Sequence, residues 1–202
     1  QYQDLCLKLN MPTKKAGTFS LWGIGAKDKN TEPVDWDSSK WVMDWDRVEY
    51  DMGILSGAAG LSNKLPLSKT GYLNTTLAST ASMFDITMKY LNYYDIGEPA
   101  KLDTYNEANL VNGRHILNSY YNKKFSARHT NRTGITFSNL FYDLVNDYAP
   151  TMRPPMQRTL DEKGNAFLYQ FYTQSKYYVT ENVIVNAGLH AQYFELSGDY
   201  NI

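Results

Sequence analysis

The sequence contains a single cysteine, Cys6, among 202 residues. This excludes an intramolecular disulfide framework and a cysteine-rich zinc site. A membrane-spanning helix is excluded too, because the longest window without acidic or basic residues, Thr70–Phe84, is rich in Thr, Ser and Asn. The charge is balanced, with 20 basic and 21 acidic residues. Such a balance excludes the concentrated basic surface of a non-specific nucleic-acid-binding protein.

Tyrosine is abundant, with 17 residues against 8 phenylalanines. A tyrosine ring is apolar and its hydroxyl is polar, so the residue concentrates where a dry region meets a wet one. Carbohydrate-binding surfaces, protein interfaces and the aromatic girdles of outer-membrane barrels all share this property. Composition leaves these three explanations open.

Apolar and polar residues alternate with a period of two in most of the chain. Alternation of this kind predicts extended strands with one dry and one wet face. The clearest examples are Asn182–Glu195, Phe167–Phe171, Gly71–Met83 and Leu5–Asn10. One segment, Asp103–Gly113, is instead predicted to form a short helix.

The predicted strands are paired through short polar turns and separated by longer segments. The short turns are Met11–Gly17, Leu65–Gly71, Arg128–Gly134 and Val179–Asn182. The longer segments are Lys27–Asp51, Met88–His115 and Asn146–Asn165. The chain is therefore predicted to be all-β, an antiparallel up-and-down meander of about eight long strands. It forms a single region over residues 1–202, with short turns at one end and long loops at the other.

Long strands with this asymmetry are typical of transmembrane β-barrels, whose periplasmic turns are short and whose extracellular loops are long. Soluble sandwiches use shorter strands and distribute their connections less regularly. Eight tyrosines, most of them near predicted strand ends, are consistent with an interfacial girdle. They are Tyr120, Tyr121, Tyr142, Tyr148, Tyr172, Tyr177, Tyr178 and Tyr193. The pattern favours part of a transmembrane barrel over a soluble β-protein with an aromatic core.

Two stretches, Tyr121–Asp143 and Tyr178–Ile202, resemble hairpins in the barrel of TonB-dependent outer-membrane receptors of the Bacteroidetes type. Leu9–Gly25 is similar to such hairpins as well. The resemblance implies a barrel of about 22 strands with a plug in its lumen. We expect the 202 residues to be an interior portion of such a barrel, with no plug domain, no TonB-contact segment and no signal peptide.

The resemblance also implies a function, which is nutrient uptake across the outer membrane of a Gram-negative bacterium. Its expected partners are the rest of the receptor barrel and its plug domain, the TonB system acting through that plug, outer-membrane lipid and a surface lipoprotein. It implies no enzymatic activity, no catalytic residue, no cofactor and no nucleic-acid partner. The substrate stays open among glycans, peptides and metal chelates.

The segment Val34–Asp51 is the strongest candidate for ligand binding, because it repeats Asp-Trp-Asp and contains three of the four tryptophans. Tryptophan faces stack on sugar rings or cations, and carboxylates accept hydrogen bonds or bind calcium. The candidate residues are Trp36, Asp37, Trp41, Trp45 and Asp46. The alternative is a loop folded on its own aromatic residues. Asp35, Asp37 and Ser39 match a calcium loop only weakly, and no metal site is predicted.

Two alternatives to the receptor come from other functional classes. One is a soluble tyrosine-rich β-sandwich that binds carbohydrate or protein through Trp36, Trp41 and Trp45. The other is an eight-stranded outer-membrane enzyme, for which the sequence offers no suitable grouping of Ser, His and acid. The Gly-x-Ser-x-Gly elbow and the phosphate-binding P-loop are both absent.

Overall fold

The computed structural model describes residues 1–93 and 99–196, together with the backbone of 199–201. The chain is all-β, as predicted. The described residues form nine strands in one sheet, and each strand is antiparallel to the next along the chain. The strands are β1 (Tyr2–Pro12), β2 (Thr18–Glu32), β3 (Val48–Ser68), β4 (Gly71–Asn92), β5 (Lys101–Lys124), β6 (His129–Tyr148), β7 (Gln157–Tyr178), β8 (Ile184–Phe194) and β9 (Asp199–Asn201). Eight strands are long, which confirms the predicted meander, and β9 has only 3 residues.

The connections are short at one end of the sheet and longer at the other. The short ones are 13–17, 69–70, 125–128 and 179–183, and the longer ones are 33–47, 93–100 and 149–156. Residues 94–98 lie outside the described residues. The first long connection contains two 3₁₀ turns, Ser38–Lys40 and Asp44–Arg47. No helix in the described part of the chain has the length and apolarity needed to cross a membrane.

The predicted helix at Asp103–Gly113 is wrong, because these residues lie within β5 and pair with β4 on one side and mostly with β6 on the other. The long loops were predicted too long, since strands extend into all three segments on both sides. In β3 and β4 the alternation continues into these segments but is inverted, with apolar Tyr50, Met52 and Ile86 at even positions and charged Glu49, Asp51 and Lys89 at odd ones. The end of β2, from Lys27 to Glu32, is polar on both faces and carries no period. The turn predicted at Arg128–Gly134 is also displaced, because β6 already begins at His129.

Across β1–β8, two directly paired residues have numbers that are both odd or both even. The exceptions lie beyond three local register shifts. Side chains alternate along a strand, so odd-numbered residues lie on one face and even-numbered residues on the other. We call these the odd face and the even face. One row of the odd face is apolar in all eight long strands. Its members are Leu9, Leu21, Leu61, Leu77, Leu117, Phe137, Tyr169 and Tyr193.

The neighbouring row of the even face is polar in the same eight strands. Its members are Asn10, Ser20, Ser62, Thr76, Asn118, Thr136, Gln170 and Gln192. Side chains in this row bond across strands, as where Asn118 Nδ2 donates to Thr136 Oγ1 at 2.7 Å. The two faces of the sheet therefore differ sharply in polarity.

The sheet has no second layer within the described residues. The accessible surface is 13804 Å² for a chain of 23.2 kDa, whereas a compact protein of this mass exposes about 9,700 Å². Every member of the apolar row is exposed. A small core lies on the even face near the long loops, where Val48, Tyr90, Tyr105 and Ala149 pack together.

The structure places the eight tyrosines predicted to form a girdle on both faces of the sheet. Tyr121, Tyr177 and Tyr193 lie on the odd face at strand ends, whereas the other five lie on the even face by their parity. Tyr142 and Tyr172 lie well inside β6 and β7, so their prediction as strand-end residues is wrong.

Candidate ligand-binding site

The first 3₁₀ turn of the connection 33–47 is built by two carboxylates. Asp37 Oδ1 accepts hydrogen bonds from the backbone nitrogen of Ser39 at 3.2 Å and from its hydroxyl at 2.7 Å. Asp35 accepts from the backbone nitrogen of Asp37 at 3.0 Å and from Lys40 Nζ at 3.1 Å. These donors, the Asp37 N–H first, lower the pKa of Asp35.

Asp46 builds the second turn in the same way. Its Oδ2 accepts from the backbone nitrogens of Val42 at 2.6 Å and Met43 at 2.9 Å. The two N–H groups, that of Met43 first, lower the pKa of Asp46. Asp35 and Asp46 are therefore ionised at neutral pH. Part of the hydrogen-bonding capacity of each carboxylate is already used by donors within the loop.

Arg47 fastens this connection to the sheet. Its guanidinium lies 4.5 Å from the ring centre of Tyr90 and 5.5 Å from that of Trp41. It also donates a hydrogen bond from Nη2 to the carbonyl of Leu91 at 2.7 Å. A planar cation between aromatic faces combines dispersion with electrostatic attraction. The loop is consequently held against the end of β4.

A second connection, 149–156, is fastened beside the first through Asn92. This residue is buried, and its Nδ2 donates to Asp103 Oδ2 at 3.0 Å and to the carbonyl of Met152 at 2.8 Å. Arg153 Nε donates to Asn92 Oδ1 at 3.3 Å. Two of the long connections thus meet the end of the same strand, β4, through buried polar contacts.

A cleft of about 310 Å³ lies between the first connection and the neighbouring ends of β2 and β3. Its aromatic walls are Trp41, Trp45 and Tyr50, and the ring centres of Trp45 and Tyr50 are 6.3 Å apart. Carboxylates of Asp35 and Asp46 complete one side. Tyr50 belongs to the even face, so the cleft opens on that face at the long-loop end.

The structure brings together three of the five predicted residues. Trp41, Trp45 and Asp46 line the cleft, and Trp45 is 53% exposed there. Trp36 and Asp37 are not part of its lining. Trp36 is 59% exposed on the outside of the loop, and Asp37 is engaged with Ser39.

The sequence prediction missed Glu32 and Tyr50, which also line the cleft. Both lie in strands that were predicted as loop, as do the last four residues of the predicted segment, Val48–Asp51. The even parity shared by Glu32, Val48 and Tyr50 was the available signal, because it places them on one face.

The arrangement suits binding. Exposed tryptophan faces stack on sugar rings or organic cations, and carboxylates accept hydrogen bonds from hydroxyl or ammonium groups. The weak calcium candidates Asp35 and Asp37 both approach Lys40 Nζ, at 3.1 and 3.7 Å. Among the described residues no cluster of three or more His, Cys, Asp or Glu side chains is arranged to hold a metal ion.

Comparison with known proteins adds no family. A scan against protein-family models gives no match, and a search of curated proteins gives none either.

Proposed function

We propose that this chain forms part of the wall of an outer-membrane receptor of the TonB-dependent type, which takes up a nutrient captured at its long-loop end. The observation that carries the proposal is the apolar row of the odd face. Eight large apolar side chains stand side by side across the sheet, and all are exposed. In water such a surface would be covered by another layer, whereas lipid accepts it directly.

The height of the apolar region supports this proposal. Odd positions from Leu55 to Leu65 in β3, Leu73 to Met83 in β4 and Val111 to Tyr121 in β5 include no Asp, Glu, Lys or Arg. They include one histidine, His115, whose ring stacks on that of Phe141 with the ring centres 5.1 Å apart. Each range rises about 34 Å along its strand, or about 24 Å at a tilt of 45°. The apolar band of outer-membrane barrels is about 25 Å tall.

Ion pairs on the same face mark where the apolar region ends. Towards the long loops, Lys29 Nζ lies 2.9 Å from Asp51 Oδ2, and Lys89 Nζ lies 2.9 Å from Glu49 Oε1. On β7, Lys163 Nζ lies 2.5 Å from Asp143 Oδ2. Odd-face side chains change from apolar to charged within a few residues, which suits a wall leaving the hydrocarbon for the wet interface.

The even face has the character of a lumen wall. Its polar row forms hydrogen bonds between strands, including one of 3.0 Å shared by Ser62 and Thr76. The cleft of Trp41 and Trp45 opens on this face at the long-loop end. In the proposed receptor this position is the mouth of the lumen, where a ligand is captured before transport.

The proposal includes partners of stated kinds. The rest of the barrel would pair with the outer strands of this sheet, and a plug domain would fill the lumen and transmit the pull of the TonB system. A surface lipoprotein would cover the long-loop end. Outer-membrane lipid would contact the odd face.

Arginine substitutions on the two faces of β4 test the wall. Leu77 is 60% exposed in the apolar row, and Thr76 lies beside it in the polar row. In phospholipid vesicles we expect Leu77→Arg to lower the free energy of unfolding by about 2–4 kcal/mol, because a cation would lie at mid-membrane depth. Thr76→Arg should cost about 1 kcal/mol, the worth of one hydrogen bond.

The outcome that contradicts the wall is equally specific. If the chain is a soluble binding module, Leu77→Arg replaces an exposed leucine by an exposed arginine. Its stability would then match that of the parent, and the chain made without detergent would be a monodisperse monomer. That pair of results would favour the soluble β-sandwich alternative.

A further inference from the structure

Two adjoining hollows on the odd face form one groove that crosses the edge of the apolar region. The apolar hollow has a volume of about 520 Å³, and Gly57, Ala59 and Ala81 belong to its floor. The charged hollow, of about 280 Å³, is lined by Lys27, Asp28, Lys29, Asp51 and Asp85. Leu55 and Met83 line both hollows, so the two are continuous.

We propose that this groove holds one membrane lipid, with an acyl chain over the small residues and a headgroup phosphate at Lys27. The inference rests on the proposed function, because it requires the odd face to lie in lipid. A hollow floored by glycine and alanine leaves dispersion contacts unmade unless something fills it. A flexible acyl chain supplies those contacts without ordering another protein segment.

The position of Lys27 gives the groove its polar end. Lys27 pairs in register with Leu55, which pairs with Met83, so the cation stands in the row where the two hollows meet. The neighbouring Lys29 is already bound to Asp51 at 2.9 Å. Within the described residues the side chain of Lys27 forms no hydrogen bond or ion pair, and its ammonium is available for a phosphate.

The apolar hollow covers the part of the acyl chain next to the headgroup. From the row of Lys27 and Leu55 to Ala59 it rises about 13 Å along β3, or about 9 Å along the membrane normal at 45° tilt. The hydrocarbon of one leaflet is about 15 Å thick, so the groove holds roughly the first half of the chain. Asp85 lies beyond Lys27 at the outer end, where its carboxylate covers Gly53.

Native mass spectrometry of the full chain in dodecyl maltoside micelles tests the site with two probes, dioleoyl phosphatidic acid and dioleoylglycerol. The parent chain should retain one phosphatidic acid and less of the phosphate-free lipid. Lys27→Ser should weaken retention of phosphatidic acid by about fivefold and leave dioleoylglycerol unchanged. Ala81→Leu, which fills the floor, should weaken retention of both lipids.

Two matched variants act as controls. Lys64→Ser removes a cation from the even face, and Ala187→Leu enlarges an odd-face residue of β8. Both should retain lipid as the parent does. Retention of phosphatidic acid by Lys27→Ser at the level of Lys64→Ser would overturn the inference, even if Ala81→Leu failed to fold.

The arginine pair on β4 separates this inference from the proposed function. If Leu77→Arg is costly and no phosphatidic acid is retained, the lipid site fails and the wall stands. If Leu77→Arg has no cost in vesicles, the wall itself fails.

Discussion

The ring of Tyr142 lies across Gly164, the residue directly opposite it on β7, so closely that a β-carbon at position 164 would come 2.7 Å from the tyrosine hydroxyl oxygen. The same relation joins Tyr172 to Gly134. A glycine gives the ring room to lie along the sheet, and the ring covers backbone that has no side chain of its own. These pairs pack the even face of β6 and β7, which no second layer covers within the described residues.

Gly164→Val should destabilise the chain by about 1–3 kcal/mol, because the Tyr142 ring must leave its position. Denaturant unfolding in micelles measures this. The double variant with Tyr142→Ala should recover part of the loss, since the clash is gone. Gly23→Val is the control, because a β-carbon there would meet nothing closer than 3.6 Å. Equal losses in the two valine variants would contradict the packing argument.

The connection 33–47 should lose its structure in acid. Asp35 and Asp46 have pKa values below the ordinary carboxyl value. Their stabilisation is therefore complete above about pH 3.9 and is lost as the pH falls through the lower folded values. Tryptophan fluorescence between pH 7 and pH 2 should report this change through Trp41 and Trp45.

Asp46→Asn is the diagnostic variant in that titration. Without the carboxylate charge, the loop at pH 7 should already resemble the acid form of the parent. Asp44→Asn is its control, because the nearest cation to Asp44 is Arg47 at 3.9 Å and the side chain is exposed. A parent-like acid transition in Asp46→Asn would show that Asp46 is not responsible.

Arg47→Ala should lower the free energy of local opening of the connection 33–47 by about 2 kcal/mol, because the aromatic contacts and the hydrogen bond to Leu91 are lost. Arg47→Lys should recover only part, because lysine keeps the charge but not the planar fork. Hydrogen exchange across residues 33–47 measures the opening. Lys40→Ala, which removes exposed ion pairs, should change it by less than about 0.5 kcal/mol. Equal effects of alanine at positions 40 and 47 would contradict the anchoring role.

Asn92→Ala should lower the free energy of unfolding by about 2–3 kcal/mol, because it leaves buried acceptors at Asp103 and Met152 without this donor. Proteolysis of the connection 149–156 should accelerate correspondingly. Asn10→Ala is the control, since Asn10 is exposed and bonds only to Ser20. Unchanged cleavage in Asn92→Ala would mean that the loop is held by other contacts.

Ligand capture should depend on Trp45 and Trp41 and not on Trp36. We suggest calorimetric titration with cellohexaose and with spermidine, one probe for sugar stacking and one for cation recognition. Trp45→Ala should weaken binding of the favoured probe about tenfold, as expected for a stacking platform. Trp36→Ala should leave it within about twofold. Binding of neither probe, or equal loss in both variants, would count against the cleft.

The alternating half of each strand was predictable because one face is apolar and the other polar. The meander and the pairing of strands through short turns followed from that period. The outer halves were missed, because Lys27, Lys29 and Asp51 make these segments look irregular, although Val48, Tyr50 and Met52 alternate with polar residues there. Their charges are in fact placed on adjacent strands, where Lys29 and Asp51 form an ion pair.

The candidate site was predictable only in part for a related reason. The Asp-Trp-Asp repeats mark the loop, and Trp41, Trp45 and Asp46 do line the cleft. Trp45 lines the cleft and Trp36 does not, and this difference depends on how the two 3₁₀ turns fold. Arg47 gave no signal, because its partners Tyr90 and Leu91 lie far along the chain.

The common parity of paired residues limits how the length of this chain can vary. Deleting one residue inside β5, at Asn112 for example, would turn every later side chain of that strand to the opposite face and put Leu117 into the polar row. Deleting two would only shift the register and keep each face intact. Variation in the long strands should therefore occur in steps of two residues. Single-residue changes should be confined to connections such as 33–47 and 149–156 and to strand ends, where the three register shifts lie.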